Sequence, residues 1–261
     1  MSGKSEDSNI SQFTDLCRQL KLPAVAIHLQ RVVEESNRQK RGLLSALTEL
    51  LELEVEARFV KRVKRRQKEA AFPLLKSLQS FDFTKNPNID HGAILRLSDG
   101  DYIKEAQPIL FLGEPGTGKT HLATALGICA AQQGRRVHFV TAASLVTNLI
   151  EARDALTLSR QVAKYSKYEL LIIDELGYLP LSTSDAELLF RVIGERHEKR
   201  TTIVTTNLPF SEWTSMFTDT RLCRAIVDRL THKAHIIETG VESMRLQETL
   251  ENLKRKKKRR K

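Results

Sequence analysis

The sequence has few cysteines and no long apolar run. Cys17, Cys129 and Cys223 are far apart, and none lies in a C-x-x-C pair or near a histidine at metal-ligand spacing, so the sequence supports neither a disulfide framework nor a zinc site. We expect reduced thiols that pack in the interior. The polar start MSGKSEDSNISQ has neither the apolar segment of a signal peptide nor the pattern of a transit peptide. We therefore expect a soluble cytoplasmic protein without a membrane partner.

Internal repeats and an even spread of charge are also missing. The 261 residues have a net charge of +10, which divides into +5 over residues 1–80, +8 over residues 254–261 and −3 between them. With 41% hydrophobic residues, the chain can bury an α/β core and a smaller accessory unit. The basic ends predict polyanion-binding extensions around a near-neutral domain, although a basic cluster can also be a solvated face.

The first 70 residues have helical periodicity. The strings QFTDLCRQLKL and PAVAIHLQRVVEESNRQKR and a stretch from about Leu43 to Ala70 favour helices, with Pro23 and Gly42 at the connections. We predict a small all-helical N-terminal domain over residues 1–75 and a linker at about residues 72–90. In the third helix the apolar residues form one stripe: Leu43, Leu44, Leu47, Leu50, Leu51 and Val55.

After the linker, short apolar runs alternate with helix-like segments. The runs are ILFLG, RVHFVT, ELLIIDEL, TTIVTTNL and HIIET. This rhythm predicts an α/β fold, with a mostly parallel sheet flanked by helices on both faces. We place this domain over residues 76–250 and a disordered basic tail over residues 251–261.

The octet GEPGTGKT, residues 113–120, follows an apolar run and opens a helix-like segment. It matches the phosphate-binding pattern G-x-x-x-x-G-K-[ST], in which glycines let backbone N–H groups turn toward a phosphate and the helix N-terminus adds positive charge. Lys119 is expected to bridge the β- and γ-phosphates of ATP, and the Thr120 hydroxyl to bind Mg²⁺. The predicted ATP-binding residues of the loop are Gly113, Glu114, Pro115, Gly116, Thr117, Gly118, Lys119 and Thr120.

The string LLIIDE, residues 170–175, ends a buried strand with two adjacent carboxylates. Ligands of open α/β sheets bind at the carboxyl ends of the strands. We expect Asp174 to bind Mg²⁺ and Glu175 to act as general base on the attacking water. Asn207, after the string TTIVTT, is expected to orient that water, although asparagine before Pro209 is also ordinary turn chemistry.

The DE pair, the TTN strand end and the helical tail resemble the AAA+ ATPases. This resemblance implies an arginine that a neighbouring subunit supplies to the γ-phosphate, so that ATP reports on assembly. Arg229, in TRLCRAIVDRLTHKA, lies at the family's position, with Arg221 and Arg224 as alternatives. The resemblance also assigns Arg245, in GVESMR, to the nucleotide of its own subunit.

The string RFVKRVKRRQK has seven basic residues in eleven. On a helix most of them line one face, so we expect the stripe to bind double-stranded DNA through its phosphates, with steep salt dependence. The glutamates just upstream argue partly against this, because they can pair with the same arginines. The tail KRKKKRRK is expected to add non-specific affinity, with a membrane surface as competitor. The predicted DNA-binding residues are Arg58, Lys61, Arg62, Lys64, Arg65, Arg66 and Lys68.

Over residues 12–250 the chain resembles the IstB-type helper ATPases of bacterial insertion sequences, relatives of the DnaC helicase loaders. The resemblance is carried by the helical lead-in LTELLELEVEARFVKRVKRRQKEAAFPLLKSLQSFDF and by LLIIDELGYLPLS, DRLTHKA and GVESMR, with DELGYLPL the most specific string. It implies a self-assembling AAA+ ATPase that uses ATP and Mg²⁺, binds and deforms duplex DNA, selects target sites and stimulates a partner transposase.

Two other functions stay open from the sequence. A helicase loader would bind a hexameric helicase and prefer single strands, but no aromatic-rich stacking surface accompanies the basic stripe. A non-enzymatic DNA-architecture protein would use ATP only as a structural ligand, and it would not need Glu175 after Asp174.

Overall fold

The computed structural model describes residues 2–178, 180–241 and 243–244, leaving out the side chains of residues 2–8. The chain divides into two compact units, Met1–Lys64 and Arg65–Lys261. The boundary at residue 75 that the sequence suggests stays a prediction. Arg245 and the basic tail lie outside the described residues. Among the residues that are described, no helix has both the length and the apolar character needed to cross a bilayer.

The first unit is helical. It contains α1 (Ser2–Gln19), α2 (Pro23–Gln39) and most of α3 (Leu43–Glu69), which continues past the boundary between the units. The three helices predicted from the sequence are therefore present. Side chains from all three form a small apolar core, made of Cys17, Val25, Leu29, Val32, Ala46 and Leu50.

A buried carboxylate caps the start of α2. Leu22, at the N-cap position, supplies no side-chain hydrogen bond. Instead Glu54 of α3, which is only 3% exposed, accepts hydrogen bonds from the backbone N–H groups of Ala24 (2.8 Å) and Val25 (3.4 Å). Arg58 donates from Nε to the same carboxylate at 2.8 Å. Glu54 thus satisfies donors that the helix start leaves free and ties α2 to α3.

The apolar stripe of α3 does not form the core of this unit. Of its six members only Leu50 is buried, because α3 turns the edge that carries Ala46, Leu50 and Glu54 toward the other helices. The rest of the stripe faces outward: Leu43, Leu44, Leu47, Leu51 and Val55.

The second unit is built on a five-stranded sheet. Its strands are β1 (Ile109–Leu112), β2 (Val137–Thr141), β3 (Leu170–Leu176), β4 (Thr201–Thr206) and β5 (His235–Glu238), in the order β2-β3-β4-β1-β5. All neighbouring strands run parallel, which confirms the prediction from the sequence. The helices are α4 (His91–Ser98), α5 (Asp101–Lys104), α6 (Lys119–Gln132), α7 (Ala142–Asp154), α8 (Leu158–Ser166), α9 (Thr183–Arg196), α10 (Trp213–Met216) and α11 (Thr220–Thr231).

Helices cover both faces of the sheet, and alternate residues of each strand enter different cores. In β3, Leu171 and Ile173 pack into the core that contains residues of α7, α9 and α11. Leu170 and Ile172 pack into the core on the other face, which contains residues of α4 and α6. Burial on both faces explains why the strands appear in the sequence as continuous apolar runs.

Residues 72–90 are packed onto this unit rather than extended away from it. They include two short 3-10 turns, Leu78–Ser80 and Phe83–Lys85. Phe81 and Ile89 are buried in the same core as α4 and α6. The stretch that the sequence suggests as a linker is therefore part of the second unit, because its phenylalanine side chains pack in the apolar core on one face of the sheet.

Candidate nucleotide-binding site

The glycine-rich octet joins the end of β1 to the start of α6, as its pattern requires. Lys119 is the first residue of α6 and is 9% exposed. Its Nζ donates hydrogen bonds to the backbone oxygens of Gly113 (2.6 Å) and Glu114 (2.9 Å). The ammonium is thus already directed into the loop.

Two glycines of the loop adopt backbone angles that a side chain would oppose. Gly116 has φ 87° and Gly118 has φ 99°, in the region that other residues rarely adopt. A Cβ on Gly118 would also lie 2.5 Å from Cε2 of Phe81. Left-handed backbone of this kind is what turns successive N–H groups into an anion-binding concavity.

The magnesium ligands that the sequence predicts are in contact. The Thr120 hydroxyl donates to Oδ1 of Asp174 at 3.0 Å, and Asp174 is buried at 4% exposure. Both side chains line the same cleft as Lys119. A hydroxyl and a carboxylate held together beside a phosphate loop are hard oxygen donors that suit Mg²⁺.

Thr205 of β4 holds both acidic residues in place, although nothing in the sequence pattern selects it. Its hydroxyl donates to Oδ1 of Asp174 at 2.5 Å and accepts from the backbone N–H of Glu175 at 2.9 Å. The register between β3 and β4 shifts between Ile173 and Leu176, so two residues of β3 lie opposite one residue of β4. Glu175 in this bulge has φ 61°. Such a bulge redirects side chains at the edge of a sheet, and Glu175 is exposed to the cleft.

The cleft beside the loop has a volume of about 620 Å³, within the range of small-molecule sites. One wall comes from the segment before the sheet and includes Pro73, Leu74 and Phe81. His121, in the first turn of α6, packs against this wall, with Nε2 at 3.0 Å from the Ser77 backbone oxygen. Burial lowers the pKa of His121, and the nearby positive charge of Lys76 lowers it further. The imidazole is therefore favoured in its neutral form.

A buried polar network holds the loop against the end of β5. The Thr117 and Thr239 hydroxyls lie 2.6 Å apart. Asn86 donates from Nδ2 to the backbone oxygens of Thr117 (3.1 Å) and Thr239 (2.7 Å). All three residues are almost fully buried. Asn86 comes from the stretch that the sequence suggests as a linker, so only its position in the fold reveals this role.

Two other predicted catalytic residues, Asn207 and Arg229, do not line the cleft that contains Glu175. Asn207 follows β4 and is half-buried, but among the described residues it is not part of the cleft lining. Arg229 lies near the end of α11, where it shares a different cleft with Pro108 and Arg200, the residues just before β1 and β4. It is therefore at the amino edge of the sheet, whereas the phosphate loop is at the carboxyl edge.

The seven basic residues predicted to bind DNA all lie on α3. Six are exposed and Arg66 is half-buried. Arg58 is tied to Glu54 and donates to the Lys21 backbone oxygen at 2.6 Å, and Arg65 and Arg66 both pair with Glu69. Within the part of the chain that the structure describes, four have no ion pair: Lys61, Arg62, Lys64 and Lys68.

Comparison with known proteins gives consistent matches. The sequence profile described as IstB-like ATP binding protein matches residues 15–252. The chain is 37% identical to the protein named for ATP binding in insertion sequence IS232 of Bacillus thuringiensis subsp. berliner, over 92% of this chain and 96% of that one. It is 36% identical to the corresponding protein of insertion sequence IS21 of Pseudomonas aeruginosa, over 89% of this chain and 88% of that one.

Solved structures confirm the predicted α/β fold, a parallel sheet flanked by helices. AMPPCP-bound DnaA from Aquifex aeolicus superposes with a TM-score of 0.56 at 19% identity, over 71% of this chain and 56% of that one. At this identity the likeness concerns the fold alone.

Proposed function

The chain belongs to the family of IstB-like ATP-binding proteins, and on this premise we propose that it is an ATPase that assembles on duplex DNA and assists transposition. The observation that carries the hydrolytic part is the Thr205 hydroxyl, which holds both Asp174 and the backbone of Glu175. A protein that used ATP only as a structural ligand would not need a second acidic residue whose backbone is held beside the first.

The residues present fit a nucleoside triphosphate with Mg²⁺. Thr120 and Asp174 would hold the ion, and Lys119 with the loop N–H groups would hold the β- and γ-phosphates. When bound, Mg²⁺ neutralises charge on the phosphate oxygens. The anionic phosphate oxygens would form stronger, charge-assisted hydrogen bonds with Lys119 than the neutral backbone oxygens of Gly113 and Glu114 do.

Glu175 takes the proton of the attacking water. Its exposed carboxylate lines the cleft, and the bulge in β3 separates it from the buried Asp174. Asp174 stays committed to the two hydroxyls that donate to it, so the two acids have different tasks. Asn207, one strand along, is proposed to orient the water in the assembled site.

The γ-phosphate receives its arginine from a neighbouring copy. Arg229 is at the opposite edge of the sheet from its own phosphate loop, so a role in catalysis requires a second chain. ATP binding would then join subunits, and hydrolysis would release them. Arg245 is proposed to contact the nucleotide of its own subunit.

DNA binding is assigned to the outward-facing basic residues of α3. Lys61, Arg62 and Lys64 are exposed and free of ion pairs within the described part of the chain, so they can neutralise phosphates without breaking internal contacts. Relatives are named for insertion sequences, which supports a transposase as the protein partner.

Sedimentation with and without ATP, and with and without double-stranded DNA, tests the assembly. We expect a large assembly only when both ligands are present, together with ATP turnover that rises on assembly. A monomer under all four conditions would contradict the role of Arg229. Preference for single strands and capture of a hexameric helicase would favour a loader instead.

A double substitution tests the DNA surface. Lys61→Ala with Arg62→Ala should weaken duplex binding for all sequences alike, and lower the slope of log affinity against log salt by about one for each lysine or arginine lost. Arg18→Ala is a matched control, because Arg18 is an exposed arginine of α1 in the same unit. An unchanged slope would place the DNA contact elsewhere.

A further inference from the structure

A single buried amide holds two peptide groups beside the phosphate loop. Asn86 is 4% exposed, and its Nδ2 donates to the backbone oxygens of Thr117 at 3.1 Å and Thr239 at 2.7 Å. Both partners can only accept, so the NH₂ group of the amide must face them. The residue after each partner is a glycine with positive φ, Gly118 at 99° and Gly240 at 74°. Asn86 is therefore placed to set the orientation of both peptide groups.

The peptide group between Thr117 and Gly118 has one side toward Asn86 and the other toward the cleft. The peptide bond is trans, so it is planar and its C=O and N–H point in opposite directions. Because the Thr117 oxygen points to Asn86, the Gly118 N–H points away from it. Within the described part of the chain, the cleft lining includes Gly118 but neither Thr117 nor Asn86. The Gly118 N–H therefore faces the cleft, where no described protein group accepts it.

This orientation depends on Asn86, because the backbone around the peptide group can rotate. Gly116 and Gly118 flank Thr117, and glycine adopts both signs of φ readily. A turned-over peptide would present its C=O to the cleft, and an oxygen there repels a phosphate, whereas an N–H attracts it. The Thr117 hydroxyl, at 2.6 Å from the Thr239 hydroxyl, holds the side chain but not the C=O. Among the described residues, Asn86 supplies the one hydrogen bond to this oxygen.

We propose that Asn86 is a positioning residue for the phosphate loop. It holds the Thr117 oxygen on the buried side, so that the Gly118 N–H is directed at an anionic oxygen of the nucleotide. The inference rests on the proposed function, since it requires ATP in this cleft. An N–H that is already oriented donates a charge-assisted hydrogen bond without first losing rotational freedom. The second hydrogen bond, to Thr239 at the end of β5, keeps the amide itself in place.

Nucleotide binding to the full chain tests the proposal. Asn86→Ala should raise the dissociation constants for ATP and ADP by about tenfold or more, because one hydrogen bond to a charged group is lost. Asn86→Leu should do the same, and its side chain also keeps water from replacing the amide. Asn88→Ala is the matched control, an exposed asparagine of the same stretch. Wild-type affinity in both Asn86 variants would overturn the proposal.

Steady-state turnover distinguishes positioning from a loss of stability. A hydrogen bond that is made equally in the ground state and the transition state contributes to binding, so Asn86→Ala should raise KM and leave kcat nearly unchanged. A variant that is only less stable has fewer active molecules, which lowers the apparent kcat and leaves KM as it is. That second pattern, with lowered folded content in circular dichroism, would contradict the positioning role.

Nuclear magnetic resonance can follow the peptide group itself. Glycine follows threonine in the sequence only at Thr117–Gly118 and Thr239–Gly240. Threonine labelled with ¹³C at the carbonyl and glycine labelled with ¹⁵N therefore select the two peptide groups that Asn86 holds. Thr239→Ser keeps a hydroxyl but removes the second label, which assigns the Gly118 signal. On addition of ADP this amide proton should move downfield in the wild type, as it donates to an anion, and the movement should be lost in Asn86→Ala.

The proposed function and the role of Asn86 can fail separately. A wild-type chain that binds neither ATP nor ADP would contradict the proposed ATPase. A wild-type chain that binds both, beside an Asn86→Ala variant with the same affinity and the same downfield movement of the Gly118 proton, would overturn the positioning role alone.

Discussion

The guanidinium of Arg229 lies over the ring of Phe190, with 4.3 Å between Cζ and the ring centroid. Arg229 also donates from Nη1 to the Ala225 backbone oxygen at 3.0 Å. The cation–π contact joins α11 to α9. The same side chain passes close to Gly194 of α9, since a Cβ built on this glycine would lie 3.9 Å from Arg229 Nε. The arginine is therefore held in place by its own chain while it stays far from that chain's phosphate loop.

Arg229→Ala should lower ATP turnover by about 10³-fold, the scale expected for an arginine supplied to a γ-phosphate in trans. Affinity for ATP in the isolated chain should change little. Steady-state phosphate release at saturating ATP and DNA measures the effect. Arg221→Ala and Arg224→Ala are matched controls on the exposed part of the same helix, and a larger loss in either would move the assignment to that residue.

Glu175→Gln should stop turnover and preserve binding. The amide keeps the size of the side chain but cannot accept the proton of water, so we expect a loss of about 10²-fold or more in turnover. Fluorescent ATP titration should show nearly unchanged affinity. Glu187→Gln, an exposed acid on α9, serves as control. Normal turnover in Glu175→Gln would remove this residue from the mechanism.

Thr205→Val should lower ATP turnover although no residue of the phosphate loop is changed. The substitution removes the donor to Asp174 and the acceptor for the Glu175 N–H, so turnover should fall by about tenfold or more, since each lost hydrogen bond to a charged group costs roughly 1.5–3 kcal/mol. The Mg²⁺ concentration for half-maximal turnover should rise. Thr205→Ser keeps the hydroxyl and should retain activity. If only the methyl group of Thr205 mattered, Thr205→Ser would lose activity instead.

Glu54→Gln should weaken the first unit near neutral pH and reduce its sensitivity to acid. Burial alone would raise the pKa of Glu54, but the hydrogen bonds from Arg58, Ala24 and Val25 outweigh it and lower the pKa. The carboxylate therefore stabilises the fold above its unfolded pKa, and this contribution is lost as the pH falls through the folded value.

Amide hydrogen exchange of Ala24 and Val25 measures this effect. At pH 7 the substitution should lower local stability by about 1–2 kcal/mol, with a smaller difference under acid conditions. Glu56→Gln is the control, because this carboxylate is exposed and has no ion pair among the described residues. Equal exchange rates in Glu54→Gln and wild type would show that the cap contributes nothing.

Much of the fold and the phosphate loop is predictable from the sequence, since each depends on local pattern. Apolar runs covered on both faces indicate a parallel sheet, and the octet ending in Lys119 and Thr120 carries its own spacing and context. The contact between Thr120 and Asp174 follows, because parallel strands end at one edge.

Residues that act through tertiary position are not predictable in the same way. Thr205 and Asn86 are ordinary in sequence, and only the bulge in β3 and the packing of residues 72–90 bring them to the site. Periodicity in α3 indicates an apolar stripe but not which way it faces, so the exposure of Leu51 and Val55 could not be read from it.

The placement of Arg229 at the amino edge of the sheet makes the measured turnover per chain depend on protein concentration. β4 alone spans six residues, about 20 Å, so one chain does not bring its own arginine to its own nucleotide. With the arginine supplied in trans, as proposed, activity per chain at low concentration grows with the chance of meeting a neighbour. Two inactive variants should then repair each other: chains with Arg229→Ala keep an intact Glu175, chains with Glu175→Gln keep an intact Arg229, and a mixed contact contains one complete site.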